Sequence, residues 1–267
     1  MQTESFANHT TEDGMMTTHN QILQAVQDGQ VLVYGHRGAK AYAPMNTLPA
    51  FTLAADQGAH GIELDVHRSK DGHPVIVHDF TVDATSNGSG RVTEMTLAEL
   101  KALDAGAWFG EAFAGTPIAT LDEVFEAVGA RLLINVEIKS ESVETDGVEE
   151  VVAACIARHN MAHRVIVSSF NPLTLQRFRA VMPDVPIAYL DWQGSTAEMR
   201  AAAAEARYEA YHPEHRMIDA AMVEAERAAG RFINTWTVND GARAAELVAL
   251  GVRGIITDNP DVVIAAL

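Results

Sequence analysis

"GIELDVHRSKDGHPVIVHD" (Gly61–Asp79) sets two apolar runs, 61–66 and 74–78, on either side of a short polar stretch. Glu63 and Asp65 stand two apart in the first run, and the second ends at His78 and Asp79. A strand turns residues i and i+2 to the same side. Two carboxylates therefore face one way from a segment that otherwise reads as buried, and that burial needs a reason.

Similar runs recur outward from this stretch. They are "VLVYG" (31–35), "RLLINVEI" (131–138), "RVIVSS" (164–169), "VPIAYL" (185–190), "EAYHP" (209–213), "RFINTWTV" (231–238) and "RGIITD" (253–258). Helical patterns separate them at 46–57, 96–103, 120–129, 147–160, 171–181, 195–206, 217–229 and 240–250. Thr120 and Glu123 have capping-box spacing, and Gly230 and Gly251 fall where helices should stop. Val/Ile-rich runs alternating with helices indicate a parallel α/β protein, and about eight such units in ~250 residues fit a (β/α)8 TIM barrel. A doubly wound sheet fits less well, because no Gly-rich dinucleotide loop follows the first run. Residues 31–267 are read as a single barrel domain. The Gly-, Ser- and Thr-rich segment at about 80–119 is an insertion after an early strand. Residues 1–30 are an N-terminal extension and leading helix, with 1–16 a loose extension because Met15 and Met16 offer alternative starts.

The chain has 267 residues, a formal net charge of -17 and one cysteine, Cys155. Such acidity argues against nucleic acid or an anionic membrane as partner, although a few local cations can still bind a phosphorylated small molecule. One cysteine excludes an intramolecular disulfide and a Cys-rich metal site, and Cys155 reads as a small apolar helix residue. No secretory pattern and no run near ~18 apolar residues is present, so a cytoplasmic protein without stable membrane association is expected. A homo-oligomer stays open.

In a barrel, active-site residues gather where strands end and βα loops begin. Five runs deliver ionisable residues there: His36 and Arg37, Glu63 and Asp65, His78 and Asp79, Glu137 and Lys139, and Asp258. Three converging carboxylates repel unless protonated or neutralised by a cation, and an all-oxygen set suits Mg²⁺, Mn²⁺ or Ca²⁺. Glu63, Asp65 and Glu137 are the candidate ligands. His36 and His78, read as standing on neighbouring strands, can move protons near neutral pH. Arg37 can grip a phosphate and Lys139 can supply a point charge. Together these groups suit phosphoryl transfer.

The segments "GHRGAKAYAPMNTLPAF", "GIELDVHRSKDGHPVIVHD", "INVEIKS", "NTWTVND" and "GVRGIITDNP" resemble the glycerophosphodiester phosphodiesterase family, in family order from residue 31 to 261. The resemblance implies a (β/α)8 barrel that hydrolyses glycerophosphodiesters to glycerol 3-phosphate and an alcohol with a divalent cation. It puts metal ligands on Glu63, Asp65 and Glu137, catalytic histidines on His36 and His78, and phosphate contacts on Arg37 and Lys139. Trp236 matches an aromatic residue that packs on the glycerol moiety. The family's usual route is attack by the substrate's own 2-hydroxyl, then opening of the cyclic phosphate by water. Which histidine is acid and which is base stays open. The family's "PENT" reads Pro44, Met45, Asn46, Thr47 here, so a thioether replaces a glutamate. Lysophospholipids or sugar phosphodiesters are alternative substrates, and a binding protein decayed from such an enzyme is the alternative class.

Other residues carry quieter expectations. His67 is read as pointing away from Asp65, toward a helix or solvent. Asp258 and Asn259 are assigned to closing the barrel rather than to chemistry. His212 is balanced between pocket lining and structure. Trp108, Phe109 and Phe113 either cover the site or anchor the insertion.

Overall fold

A computed structural model of the chain describes residues 20–267. The expected loose extension over residues 1–16 lies outside them. Each expected run contains a strand: β1 (Leu32–His36), β2 (Gly61–Arg68), β3 (Pro74–Ile76), β4 (Leu133–Ile138), β5 (Val165–Ser169), β6 (Ile187–Asp191), β7 (Ala210–Pro213), β8 (Phe232–Thr235) and β9 (Gly254–Thr257). The helices are α1 (Gln21–Gln27), α2 (Leu48–Asp56), α3 (Leu97–Lys101), α4 (Leu121–Val128) and α5 (Val148–Arg158). They continue with α6 (Pro172–Val181), α7 (Ala197–Glu205), α8 (Ala220–Ala228), α9 (Gly241–Leu250) and α10 (Pro260–Ile264).

All strands except β3 pair in parallel, and the β1–β2 pairing closes the sheet into an eight-stranded TIM barrel. Local chemistry sets where the outer helices begin. The side chains of Thr47, Asn171, Thr196, Asp219 and Asp240 each accept a first-turn N–H. Thr120 and Glu123 form the expected reciprocal capping box on α4. Gly251 ends α9 at φ 112, a backbone region that a side chain would strain.

Alternation along β2 divides its labour. Ile62, Leu64 and Val66 face outward into a core shared with Phe51, Val124 and Val136. Glu63 and Asp65 face inward. Truncating a fully buried residue such as Leu64 to alanine should cost about 2–5 kcal/mol. Inside the barrel, Leu32, Tyr34, Leu133, Ile166, Ala188, Ala210 and Ile256 form a second apolar layer that includes Ile22 of α1. The leading helix thus covers the end where the strands begin. Asn20 fastens it there, capping α1 with its Oδ1 and donating from Nδ2 to the Ala162 and Val165 carbonyls at 3.0 and 2.9 Å.

One expectation is corrected. The run ending at His78 is not a barrel strand, because β3 runs antiparallel to the outer end of β2, pairing Val66 with Ile76 and Arg68 with Pro74. Only residues 69–73 separate the two strands, far short of the dozen or so that a parallel crossover needs. His78 therefore lies in the loop after this hairpin and does not stand on a strand beside His36. The insertion that follows has its own apolar cluster, with Val77, Val82, Val92, Leu100 and Ile118. No helix among the described residues is long and apolar enough to cross a membrane.

Candidate active site

Strand register builds the acidic centre. Asp65 pairs with Glu137 across β2 and β4, and His36 pairs with Glu63 across β1 and β2. Parallel partners point to the same face, so all four side chains turn toward one end of the barrel interior. Glu63, Asp65 and Glu137 each offer a carboxylate oxygen within 4.8 Å of the others, and all three residues are buried.

Their ionisation is uneven. Burial first, then the Asp65 and Glu137 charges, push Glu63 well above the usual carboxylate range. Burial raises Glu137 to about 7 despite the opposing pull of Lys139. Burial opposes ionisation of Asp65 too, but Lys139 and Arg37 outweigh it and hold that carboxyl below its ordinary value. Lys139 Nζ lies 2.7 Å from Glu137 Oε1 and 3.3 Å from Asp65 Oδ1, while Arg37 Nε is 3.2 Å from Asp65 Oδ2.

The loop after β1 wraps this centre. Arg37 takes a left-handed backbone at φ 54, and its N–H donates to Glu63 Oε2 at 3.1 Å. Asn46, also left-handed at φ 59, donates from Nδ2 to Asp65 Oδ2 at 2.8 Å. Such conformations cost about 1–3 kcal/mol each and persist only where the surroundings hold them. Met45 lies against the same guanidinium, with Sδ 3.4 Å from an Arg37 terminal nitrogen.

Two histidines flank the carboxylates. His36 points Nε2 toward Glu63 Oε2 at 4.0 Å and Nδ1 toward Asp258 Oδ1 at 2.7 Å. Burial pulls its imidazole down to about 4. His78 is more open, with Nδ1 2.6 Å from Asp79 Oδ1. Burial lowers it as well, against the charge of Asp65. The antiparallel hairpin carries it to this place, since the Val77 N–H donates to the Asp65 carbonyl. Trp236, just past β8, donates from Nε1 to the His212 carbonyl at 2.8 Å and meets Phe170 edge-on.

All eight residues named from the sequence lie at the C-terminal end of the barrel or in its loops. The interpretation of His67 is corrected: two residues from Asp65, it shares that face and is buried, with its ring edge-on to Phe80. His67 and Lys139 also line a cavity of about 200 Å³ with Phe80, Arg91 and Glu141. Asp258 does more than end the last strand. It does not simply close the barrel but touches His36, and Asn259 makes no side-chain cap on α10. His212 is fully buried beside Asn234. Inside the insertion, Phe109 meets Trp108 and Phe113 edge to face. Asn46 and Lys40 join the site from the loop after β1: Asn46 is the third residue of the segment matching the family's "PENT", whereas Lys40 has no signal beyond its place in that loop.

The carboxylate set fits a hard divalent cation. Every donor is an oxygen, and two of the three acids bind protons more tightly than usual. Known proteins resemble this chain along most of its length. The Glycerophosphoryl diester phosphodiesterase family model matches residues 36–262. The chain is 43% identical over 238 residues to a glycerophosphodiester phosphodiesterase of Caldanaerobacter subterraneus subsp. tengcongensis, spanning 88% of this chain and 97% of the relative. An Oleispira antarctica phosphodiesterase, solved in complex with the product sn-glycerol-3-phosphate, superposes with a TM-score of 0.79 at 30% identity. That likeness covers 90% of this chain and 98% of the other. A glycerophosphodiester phosphodiesterase from Agrobacterium tumefaciens gives a TM-score of 0.77 at 30% identity, over 88% of this chain and all of that one.

Proposed function

We propose a mechanism on the premise that this chain belongs to the glycerophosphoryl diester phosphodiesterase family and is an enzyme of that class, hydrolysing glycerophosphodiesters to glycerol 3-phosphate. The observation that carries the mechanism is the meeting of three buried carboxylates with two histidines, Arg37 and Lys139 in one cluster.

Glu63, Asp65 and Glu137 would hold a divalent cation, Mg²⁺, Ca²⁺ or Mn²⁺ by donor type. Once bound, such a cation supplies positive charge to the phosphoryl oxygens. Arg37 and Lys139 hold the phosphate from either side of Asp65, and Trp236 packs against the glycerol carbons. One of His36 and His78 takes the proton of the substrate's 2-hydroxyl as that oxygen attacks phosphorus. The other donates a proton to the departing alcohol oxygen, leaving a cyclic phosphate. Water then opens the ring with the two proton transfers reversed, releasing glycerol 3-phosphate. Burial of the cluster makes each of these charge interactions stronger than it would be in bulk water.

The test is incubation with glycerophosphocholine or glycerophosphoethanolamine and each cation in turn, followed by phosphorus-31 NMR. Glycerol 3-phosphate should appear and EDTA should stop it. Activity untouched by EDTA would remove the cation from the mechanism, and binding without turnover would favour a non-catalytic role.

A further inference from the structure

We propose that Asp258 is a positioning residue for His36: it accepts the Nδ1 proton, fixes the imidazole as its Nδ1–H tautomer, and leaves the Nε2 lone pair facing the carboxylate cluster. The proposal rests on His36 as a proton carrier in the mechanism above and deepens that role.

The geometry allows one reading of the contact. His36 Nδ1 and Asp258 Oδ1 are 2.7 Å apart. A carboxylate only accepts, so a separation that short requires a proton on the nitrogen. Asp258 is itself held in the ionised form. Burial would raise it, but the His36 and Asn239 hydrogen bonds and the Lys40 charge bring it to about 2. Both oxygens are fixed, because Asn239 Nδ2 donates to Oδ2 at 2.9 Å and Lys40 Nζ lies 3.2 Å from Oδ1. The Asp258 N–H donates to Asn239 Oδ1 at 2.8 Å, so the backbone is tied as well. Lys40 Nζ also lies 3.2 Å from His36 Nδ1. Were Asp258 absent, Lys40 could donate to that nitrogen and stabilise the opposite tautomer, with the proton on Nε2. A neutral imidazole protonated at Nε2 cannot accept a proton there. Asp258 therefore decides whether His36 presents a lone pair to the site.

The experiment uses Asp258→Ala, the isosteric Asp258→Asn, His36→Ala and the double Asp258→Ala/His36→Ala variant, each checked for an unchanged thermal melt. Two-bond ¹H–¹⁵N correlation of the imidazoles should show His36 as Nδ1–H in the wild type and as a mixture, or Nε2–H, in both Asp258 variants. In cation-saturated enzyme, kcat should fall about 100-fold in each Asp258 variant, while KM changes less than about threefold. The losses from Asp258→Ala and His36→Ala should fail to multiply in the double variant. An Nε2–H tautomer in the wild type overturns the proposal, and so do fully multiplying losses. If His36→Ala alone keeps full rate, the role given to His36 fails, and the tautomer spectrum still judges Asp258.

Discussion

Lys139 holds its ammonium 2.7 Å from the Glu137 carboxylate, two positions back along the chain. It occupies, with a fixed charge, part of the field that the three acids would otherwise offer to a cation. Burial works against the charge on Lys139, but Glu137 and Asp65 more than compensate, and the group stays protonated. Lys139→Met should separate two functions. At pH 8, calorimetric titration should show the cation binding more tightly, because a competing charge is gone, while KM for the diester rises about tenfold, one 1.4 kcal/mol contact. Weaker cation binding in this variant would mean that Lys139 organises the acids rather than opposing the metal.

Glu63→Gln keeps the shape of the site and removes one charge. Its apparent cation affinity should fall at least about 100-fold, the upper end seen when metal-site partners are changed. The loss should appear both in titration and in a smaller cation-induced rise of the melting temperature. Unaltered affinity would remove Glu63 from the ligand set.

The cluster also couples cation binding to pH. Glu137 is raised to about 7 and Glu63 well above its ordinary value, so without a cation the folded protein holds protons that the unfolded chain has released. That contribution to stability is present at acid pH and disappears as pH rises through about 7. His36 and His212, both lowered by burial, act in the opposite direction at more acid pH. Comparison with and without cation cancels the shared background. The cation-induced rise in melting temperature should therefore grow between pH 6 and pH 8, and proton release on binding should be measurable calorimetrically. A rise independent of pH would exclude protons from the empty cluster.

His78→Ala should lower kcat by about 10²–10⁴-fold while leaving cation affinity near wild type, since His78 lies outside the carboxylate set. Single-turnover kinetics with saturating cation would measure it. A lowered cation affinity would instead make His78 part of the binding site.

Met45 lies against Arg37 where a carboxylate would pair with it. Met45→Glu should steady the guanidinium for phosphate and raise kcat/KM on glycerophosphocholine about tenfold, the size of one charged hydrogen bond. Unchanged or reduced activity would show that Asp65 alone orients Arg37 well enough.

Most of the barrel is legible from alternation: every expected run contains a strand, and Glu63 with Asp65 reads as an inward pair because a strand has a period of two. The same period of two puts His67 on the face of Asp65, where the structure has it. Periodicity reports a strand but not its direction, and for β3 only the five-residue link to β2 marks the antiparallel return. Asp258 lies 222 positions from His36, and nothing local marks an aspartate before an Asn-Pro turn as a partner for a distant histidine. Asn46 is similar. Its contact with Asp65 depends on a left-handed turn that only the folded loop displays.

The antiparallel hairpin gives the two histidines different mechanical standing. His36 ends a strand paired on both sides within the closed barrel, whereas His78 follows a three-residue strand paired to β2 and leads into the insertion. Local opening of that appendage would withdraw His78 and leave Glu63, Asp65 and Glu137 in place, because they are anchored by the barrel itself. On the mechanism proposed above, the proton carrier His78 would hang from a short hairpin, while the charge trap would belong to the barrel strands. Remodelling the insertion can retune turnover without dismantling the trap.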